Sequence, residues 1–420
     1  VATGRGFVIL TVSFLFLLGG RLLGIQDFYE VGGGLVLIVI AGIAVTARAK
    51  QSVSAARSVV PPRVTAGRPA SVEITITNDD RRHTPPLLYK DSLPPHLVGK
   101  GRFGVTPVPS NSKKTASYEV VGAKRGVYDI GPGELTFTDP YGTATKRVQL
   151  VGTSRITVHP EVETLAQSGG LGERFGSGKM RRFAPTTSGG EFFTLREFQA
   201  GDDLRKIHWP STARLGKPML RQEEQQRQML ATIVLDDRHD RHRLGTPDSF
   251  EQSVRSAASM IGLYMGSGFY VRLAFVGAPG PGGRTEFGRG TDHYNHLLDS
   301  LSVVTITRQG DLAAKLASLR ASSTGGVLVI VTTDAESAYG ALKDRLADRS
   351  AFKMVVIHPL HDFLSVTDSE RAAREKSLDG VLRLMRDSGI THVVSRAGRS
   401  LAEAWVERQG APRAARGGAA

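Results

Sequence analysis

The chain has 420 residues, enough for two or three ordinary domains, with 40% hydrophobic and 22% charged residues. Its 54 lysines and arginines against 40 acids give a formal net charge of +14, which suits an anionic lipid surface or an acidic partner. No cysteine is present, which excludes disulfides, thiolate metal sites and cysteine nucleophiles; the basic residues are spread without a recognisable binding module, so no nucleic acid is expected.

Phe7 to Leu18 is uncharged, and the apolar run continues to Ile25 with only Arg21 interrupting it. A second run, Val31 to Ala47, carries no charge. At 1.5 Å per residue these reach roughly 28 and 25 Å, close to a bilayer core of about 30 Å. The short connector Gln26 to Glu30 forces the two helices into a hairpin. Arg5 precedes the first helix, and Arg48, Lys50, Arg57 and Arg63 follow the second. The connector offers Arg21 against Asp27 and Glu30. The positive-inside rule then places both chain ends in the cytoplasm of a multi-pass inner-membrane protein. A cleaved signal peptide fits less well, because no small-residue cleavage site closely follows Leu18.

Residues 1–50 are thus predicted as the transmembrane hairpin and 51–160 as an all-β sandwich. In Ser71 to Asn78, Val72, Ile74 and Ile76 alternate with Glu73, Thr75 and Thr77, the pattern of a half-buried strand. Further short strands follow, separated by turns such as Gly131-Pro132-Gly133 and Asp139-Pro140-Tyr141-Gly142. Residues 161–228 read as a linker and a dense signature segment. Its first part is rich in Gly, Ser and Thr, with Arg174, Lys179, Arg181 and Arg182 placed to meet anionic lipid or an acidic partner.

From 229 to 409 strands alternate with helices, which predicts a mainly parallel sheet covered on both faces. Asp248 and Glu251 form a capping box before Phe250, Val254, Ala258, Ile261 and Met265 at helical spacing. Thr285 to Gly288 reads as a short edge strand, and Ser400 with Glu403 starts a last helix that buries Leu401 and Trp405. Residues 410–420 read as a disordered tail.

Ligands of such a sheet sit beyond the carboxyl ends of its strands, where Asp236, Asp237 and Asp334 fall. Asp236 and Asp334 with nearby hydroxyls suggest a hard divalent cation such as magnesium; no other cofactor is expected. The arrangement resembles the von Willebrand factor A fold, an α/β fold of Rossmann type. Its adhesion-site motif appears here as Asp236-Asp237-Arg238-His239-Asp240, with Arg238 and Asp240 in place of both serines. A guanidinium at that position opposes a metal ion.

The densest signal runs from Gly190 to Glu224 and holds Glu191, Arg196, Glu197, Asp202, Arg205, His208, Trp209, Arg214 and Arg221. Interleaved arginines and acids suggest ion pairs that order a junction or present a partner surface. Trp209 suits a domain junction. This series, with the RGVYDIGP and DPYG stretches, resembles the bacterial family called domain of unknown function 58. The resemblance implies a membrane-anchored partner of a MoxR-type AAA+ ATPase that serves the assembly or maturation of other proteins. The alternative is a membrane-bound hydrolase using Asp202, His208 and Ser211 from the 202–211 segment. No Gly-x-Ser-x-Gly elbow surrounds Ser211, and no phosphate-binding Gly-x-x-x-x-Gly-Lys-Ser/Thr loop occurs.

Overall fold

The computed structural model describes residues 2–166, 193–198, 207–223, 229–242, 248–277, 283–319, 326–343 and 351–410. They form two compact units: Val1–Val162 with Asn295–Thr305, and Glu163–Tyr294 with Ile306–Ala420.

The first unit opens with helices α1 (Gly4–Leu23) and α2 (Gln26–Ser52), both long and apolar enough to cross a membrane. Thr3 caps α1, accepting from the Gly6 N–H at 3.1 Å. Gly24 closes it at φ 71°, a left-handed turn that favours glycine. The connector is therefore Gly24 and Ile25, shorter than the sequence suggested. Asp27 lies in the first turn of α2, where its charge complements the helix N-terminus.

Gly6, Ser13 and Gly20, each seven residues apart, form the buried stripe of α1. Ser13 donates to the Gly32 carbonyl of α2 at 2.7 Å. A side chain at Gly32 would meet Leu17 at 2.8 Å, so small residues set this close approach. The outward surfaces are apolar and exposed, with Phe7 at 61%, Leu22 at 75% and Leu37 at 65%.

The β-rich region contains β1 (Val53–Val60), β2 (Arg63–Thr65), β3 (Pro69–Asn78), β4 (Leu87–Asp91), β5 (Leu97–Gly99) and β6 (Arg102–Val105). It continues with β7 (Ser112–Gly122), β8 (Gly126–Ile130), β9 (Gly133–Thr138), β10 (Thr145–Val151) and β11 (Ser154–His159). Three sheets result, ordered β1-β3-β7-β5, β10-β9-β4-β6 and β2-β11-β8. The alternation read in β3 is real: Val72, Ile74 and Ile76 are fully buried, together with Leu135, Phe137, Ile156 and Val158.

Arg57 of β1 is enclosed in this core. It pairs with Asp91 of β4, and both side chains are fully buried. It also donates to the Tyr89 hydroxyl at 3.2 Å and to the carbonyls of Ile130 and Gly152. Tyr118 of β7 donates to the other Asp91 oxygen at 2.6 Å. A side chain on Gly131, at φ 106°, would meet the Arg57 guanidinium at 2.6 Å. The Gly-Pro turn thus leaves room for the buried cation.

The Asp139 turn joins strands to helices. Its carboxylate accepts from the N–H groups of Tyr141 and Ala144 and from the Thr143 hydroxyl. Thr143 in turn accepts the Thr3 N–H at 2.9 Å, and Cβ atoms at Gly6 or Gly42 would collide with Thr143. Glycine on each helix is what lets the turn seat against the hairpin.

The second unit holds β12 (Phe193–Glu197), α3 (Trp209–Leu215) and β13 (Met219–Glu223), then an α/β region. Its strands β14 (Leu230–Leu235), β15 (Tyr270–Phe275), β16 (Gly326–Thr332), β17 (Ala351–Ile357) and β18 (Thr391–Val394) form one parallel sheet, ordered β15-β14-β16-β17-β18. Arg284 and Gly288 add antiparallel bridges to β15, close to the predicted edge strand. Its helices are α4 (Ser249–Gly266), α6 (Leu312–Leu319), α7 (Ala335–Lys343), α8 (Asp368–Asp387) and α9 (Leu401–Gly410); α5 (Thr291–Val303) starts here, and its residues from Asn295 on belong to the first unit. Asp248 caps α4, whose Phe250, Val254, Ala258 and Ile261 are buried, whereas Met265 is only half-buried. Leu401 and Trp405 are buried as expected.

Candidate functional site

In this strand order the connections leave β14 in opposite directions, so a crevice is expected beyond the ends of β14 and β16. Asp236 stands there, fully buried. Arg238 folds back onto it in a bidentate pair, Nε to Oδ1 and Nη2 to Oδ2, both 2.8 Å. Thr332 of β16 donates to Asp236 Oδ2 at 2.8 Å. Burial alone would raise the Asp236 carboxyl, but the bonds from Arg238 and Thr332 hold it below the usual range.

Asp334 belongs to the same group through Thr332, whose hydroxyl accepts the Asp334 N–H at 3.0 Å. One Asp334 oxygen accepts the Ser337 N–H at 3.0 Å, and the other pairs with Arg241 Nη1 at 2.9 Å. Asp237 differs. It accepts the Gly277 N–H at 2.6 Å, and burial pushes its carboxyl up. His242 donates through Nε2 to the Asp236 carbonyl at 2.6 Å. These donors do not fit a divalent cation: each carboxylate of the expected pair already faces a guanidinium. Among the described residues no group of three or more His, Asp or Glu converges on a metal position. The magnesium expected at Asp236 and Asp334 would have to displace these guanidinium groups.

The signature segment forms an antiparallel ribbon, with Leu195 opposite Arg221 and Arg196 opposite Leu220. Arg196 and Arg221 are described by backbone only, and Glu191, Asp202 and Arg205 lie outside the described residues. Glu197 pairs with Lys217 at 3.0 Å. His208 is the N-cap of α3: its Nδ1 accepts the Ser211 N–H at 3.3 Å and lies 2.9 Å from the Ser211 hydroxyl. This side-chain contact has the local form of a cap rather than of a nucleophile elbow. Trp209 is 68% exposed and Arg214 is exposed.

One cluster escaped the sequence reading. Beyond β17 and β18, Glu375 of α8 lies 2.8 Å from His361 Nε2 and pairs with Arg396 through both oxygens. Arg396 also reaches Asp362 at 3.6 Å. Bonds from Arg396 first, then His361, outweigh burial and hold Glu375 at about 2. The cluster borders a crevice of about 540 Å³ with Asp368 and Arg371. The sequence signal was His361-Asp362 directly after the strand.

His358 sits below it, fully buried, with Nδ1 3.1 Å from the Ser395 carbonyl oxygen. Burial lowers its pKa from 6.5 to about 4. The unfolded chain therefore binds a proton that the fold refuses across that interval. The contribution of His358 to stability is complete above pH 6.5 and falls as the pH drops towards 4. At about 1.4 kcal/mol per pH unit the loss reaches roughly 3 kcal/mol. Urea titrations between pH 7.5 and 4.5 should show a shallower acid slope in His358→Gln; equal slopes would remove His358 as the source.

No curated protein matches the chain. Solved structures similar to parts of it include the CARDB domain of a Pyrococcus furiosus protein in complex with di-metal ions: 15% identity, 25% of this chain, 91% of that one, TM-score 0.20. A FixG-related protein from Vibrio parahaemolyticus matches at 13% identity over 25% of this chain and 94% of its own, TM-score 0.17. A non-cellulosomal cohesin from Archaeoglobus fulgidus matches at 14% identity over 25% and 91%, TM-score 0.17. At these scores the likenesses carry no argument about function. Residues 194–376, which include most of the ribbon, the Asp236 group and Glu375, match the family described as protein of unknown function DUF58.

Proposed function

We propose that this protein is a membrane-anchored interaction or assembly factor whose cytoplasmic regions bind a protein partner, a MoxR-type AAA+ ATPase. The observation that carries the anchor is the hairpin itself: small residues face inward and large apolar residues face outward. Both chain ends lie in the cytoplasm on this reading, in a multi-pass inner-membrane protein. The β-rich region serves as a sandwich-type spacer, and the α/β region is a degenerate von Willebrand factor A-type domain. The antiparallel bridges of Arg284 and Gly288 beside β15 support that assignment. So does Asp236 at the end of β14, with Arg238 in place of a metal ion. Exposed Trp209 and Arg214 suit partner contact, because tryptophan and arginine are common anchors of protein interfaces. The 2.9 Å contact between His208 and Ser211 is what favours the second reading, a hydrolase.

The absence of native cysteine makes topology directly testable. Single cysteines at Asp27 and Lys113 are both exposed positions. A membrane-impermeant maleimide should label Asp27→Cys in intact cells and Lys113→Cys only after permeabilisation; the reverse order would sink the orientation. Affinity purification of the solubilised chain should retain an AAA+ ATPase that Trp209→Ala releases. A turnover lost in Ser211→Ala with the ATPase still bound would favour the hydrolase.

A further inference from the structure

The loop between β3 and β4 lies against the last membrane turns of α2. Together they enclose a crevice of about 250 Å³. Ala44, Val45 and Pro85 give it an apolar side; Arg48, Arg82 and His83 give it a cationic one. Arg48 ends the stretch of α2 that is apolar enough to span a membrane. Val45, one turn earlier, is 44% exposed.

The loop is built rather than loose. Asn78, 1% exposed, donates through Nδ2 to the carbonyls of Arg82 at 2.8 Å, Pro109 at 2.9 Å and Val108 at 3.2 Å. Its Oδ1 accepts the Asp80 N–H at 3.1 Å. Asp80 in turn accepts the Asn111 N–H through its carbonyl. These bonds fix the backbone that carries Arg82 and His83. The side chains of Arg48, Arg82 and His83 are exposed and make no ion pair among the described residues. The backbone thus brings Arg48 and Arg82 to the level where a phospholipid phosphate would lie, above a wall that suits an acyl chain.

We propose that this crevice binds the head group of an anionic phospholipid from the inner leaflet. The phosphodiester would bridge Arg48 and Arg82 while the first acyl carbons lie on Val45. Asp80 lines the same crevice and repels a head group carrying its own carboxylate. A phosphodiester whose head carries only hydroxyls fits best, as in phosphatidylglycerol. The site would fix the depth of the hairpin and the attitude of the β-rich region at the membrane surface. It rests on the membrane reading given above.

Native mass spectrometry of the full chain, released from micelles doped with phosphatidylglycerol or phosphatidylcholine, tests the proposal. The wild type should retain phosphatidylglycerol in preference. Arg48→Ala with Arg82→Ala should lower that retention roughly tenfold or more, since charge-assisted bonds to phosphate are lost. Lys113→Ala, on β7, should leave it unchanged, and Asp80→Asn should raise it. Equal retention of both lipids, or no effect of the double substitution at unchanged melting temperature, would overturn the site. Should the double variant melt early, Arg82→Gln alone and Asp80→Asn still decide it, since they must move retention in opposite directions. Carbonate extraction separates the two readings. A chain released from membranes by alkaline carbonate refutes the anchor; a chain that stays without lipid preference refutes only the site.

Discussion

Replacing Asp91 with alanine is expected to cost the first unit about 3–5 kcal/mol, because it leaves the Arg57 guanidinium buried without its counter-charge. Both side chains are fully buried. Asp91 also accepts from Tyr118, so its loss strands a second donor. Hydrogen exchange read by mass spectrometry localises the effect. Peptides of β3, β4 and β7 should lose protection, while those of β14 and β16 keep theirs. Tryptophan fluorescence would miss the effect, since both tryptophans, Trp209 and Trp405, lie in the second unit. Tyr118→Phe should cost less, about 1.5–3 kcal/mol, the worth of one bond to a charged group. Removing the pair together, as Arg57→Met with Asp91→Leu, should recover much of the loss, because desolvation of both charges disappears with them. An Asp91→Ala protein within about 1 kcal/mol of wild type would mean that water reaches Arg57.

Much of this architecture could be read from residue patterns. Long apolar runs, the period-two alternation of β3 and the apolar strands β14, β16 and β17 each follow one physical rule and need no distant partner. The hairpin connector was misplaced because Asp27 and Glu30 look like loop residues until Gly24 is seen to make the turn. Helix α8 was missed for a related reason. Among its residues only Leu378 and Met385 are buried, so its apolar period is faint. Its start was nevertheless written in Thr367 and Glu370, which form a complete capping box. The candidate site was legible in part. Asp236 and Asp334 were placed correctly at strand ends, and Arg238 was recognised as hostile to a metal ion. That Arg238 turns back through a bidentate pair, and that Arg241 reaches Asp334, depends on backbone geometry that spacing does not encode. The Glu375–Arg396 pair joins residues 21 apart across two elements, which no local pattern reveals.

The neighbouring aspartates at the end of β14 should respond to the same substitution in opposite ways. Asp236→Asn removes the counter-charge of Arg238, whose side chain is only 10% exposed, and should cost about 3–5 kcal/mol. Asp237→Asn should be neutral or slightly stabilising. Its amide oxygen can still accept the Gly277 N–H, and a carboxylate whose charge burial disfavours is gone. The pH signs also oppose. The lowered Asp236 value contributes stability above the unfolded carboxyl value near 4, and that contribution is lost as the pH falls below it. The raised Asp237 value makes its contribution largest in acid and loses it as the pH rises through the folded value. Chemical denaturation followed by the fluorescence of Trp405, buried in this unit, reads both variants directly. Magnesium completes the argument. A ligand that binds only the folded state stabilises by mass action, so millimolar magnesium should leave the wild-type midpoint unmoved. In Arg238→Ala, where Asp236 is freed, the same magnesium should raise it. A wild-type midpoint that climbs with magnesium would mean that the guanidinium yields its place to a metal ion.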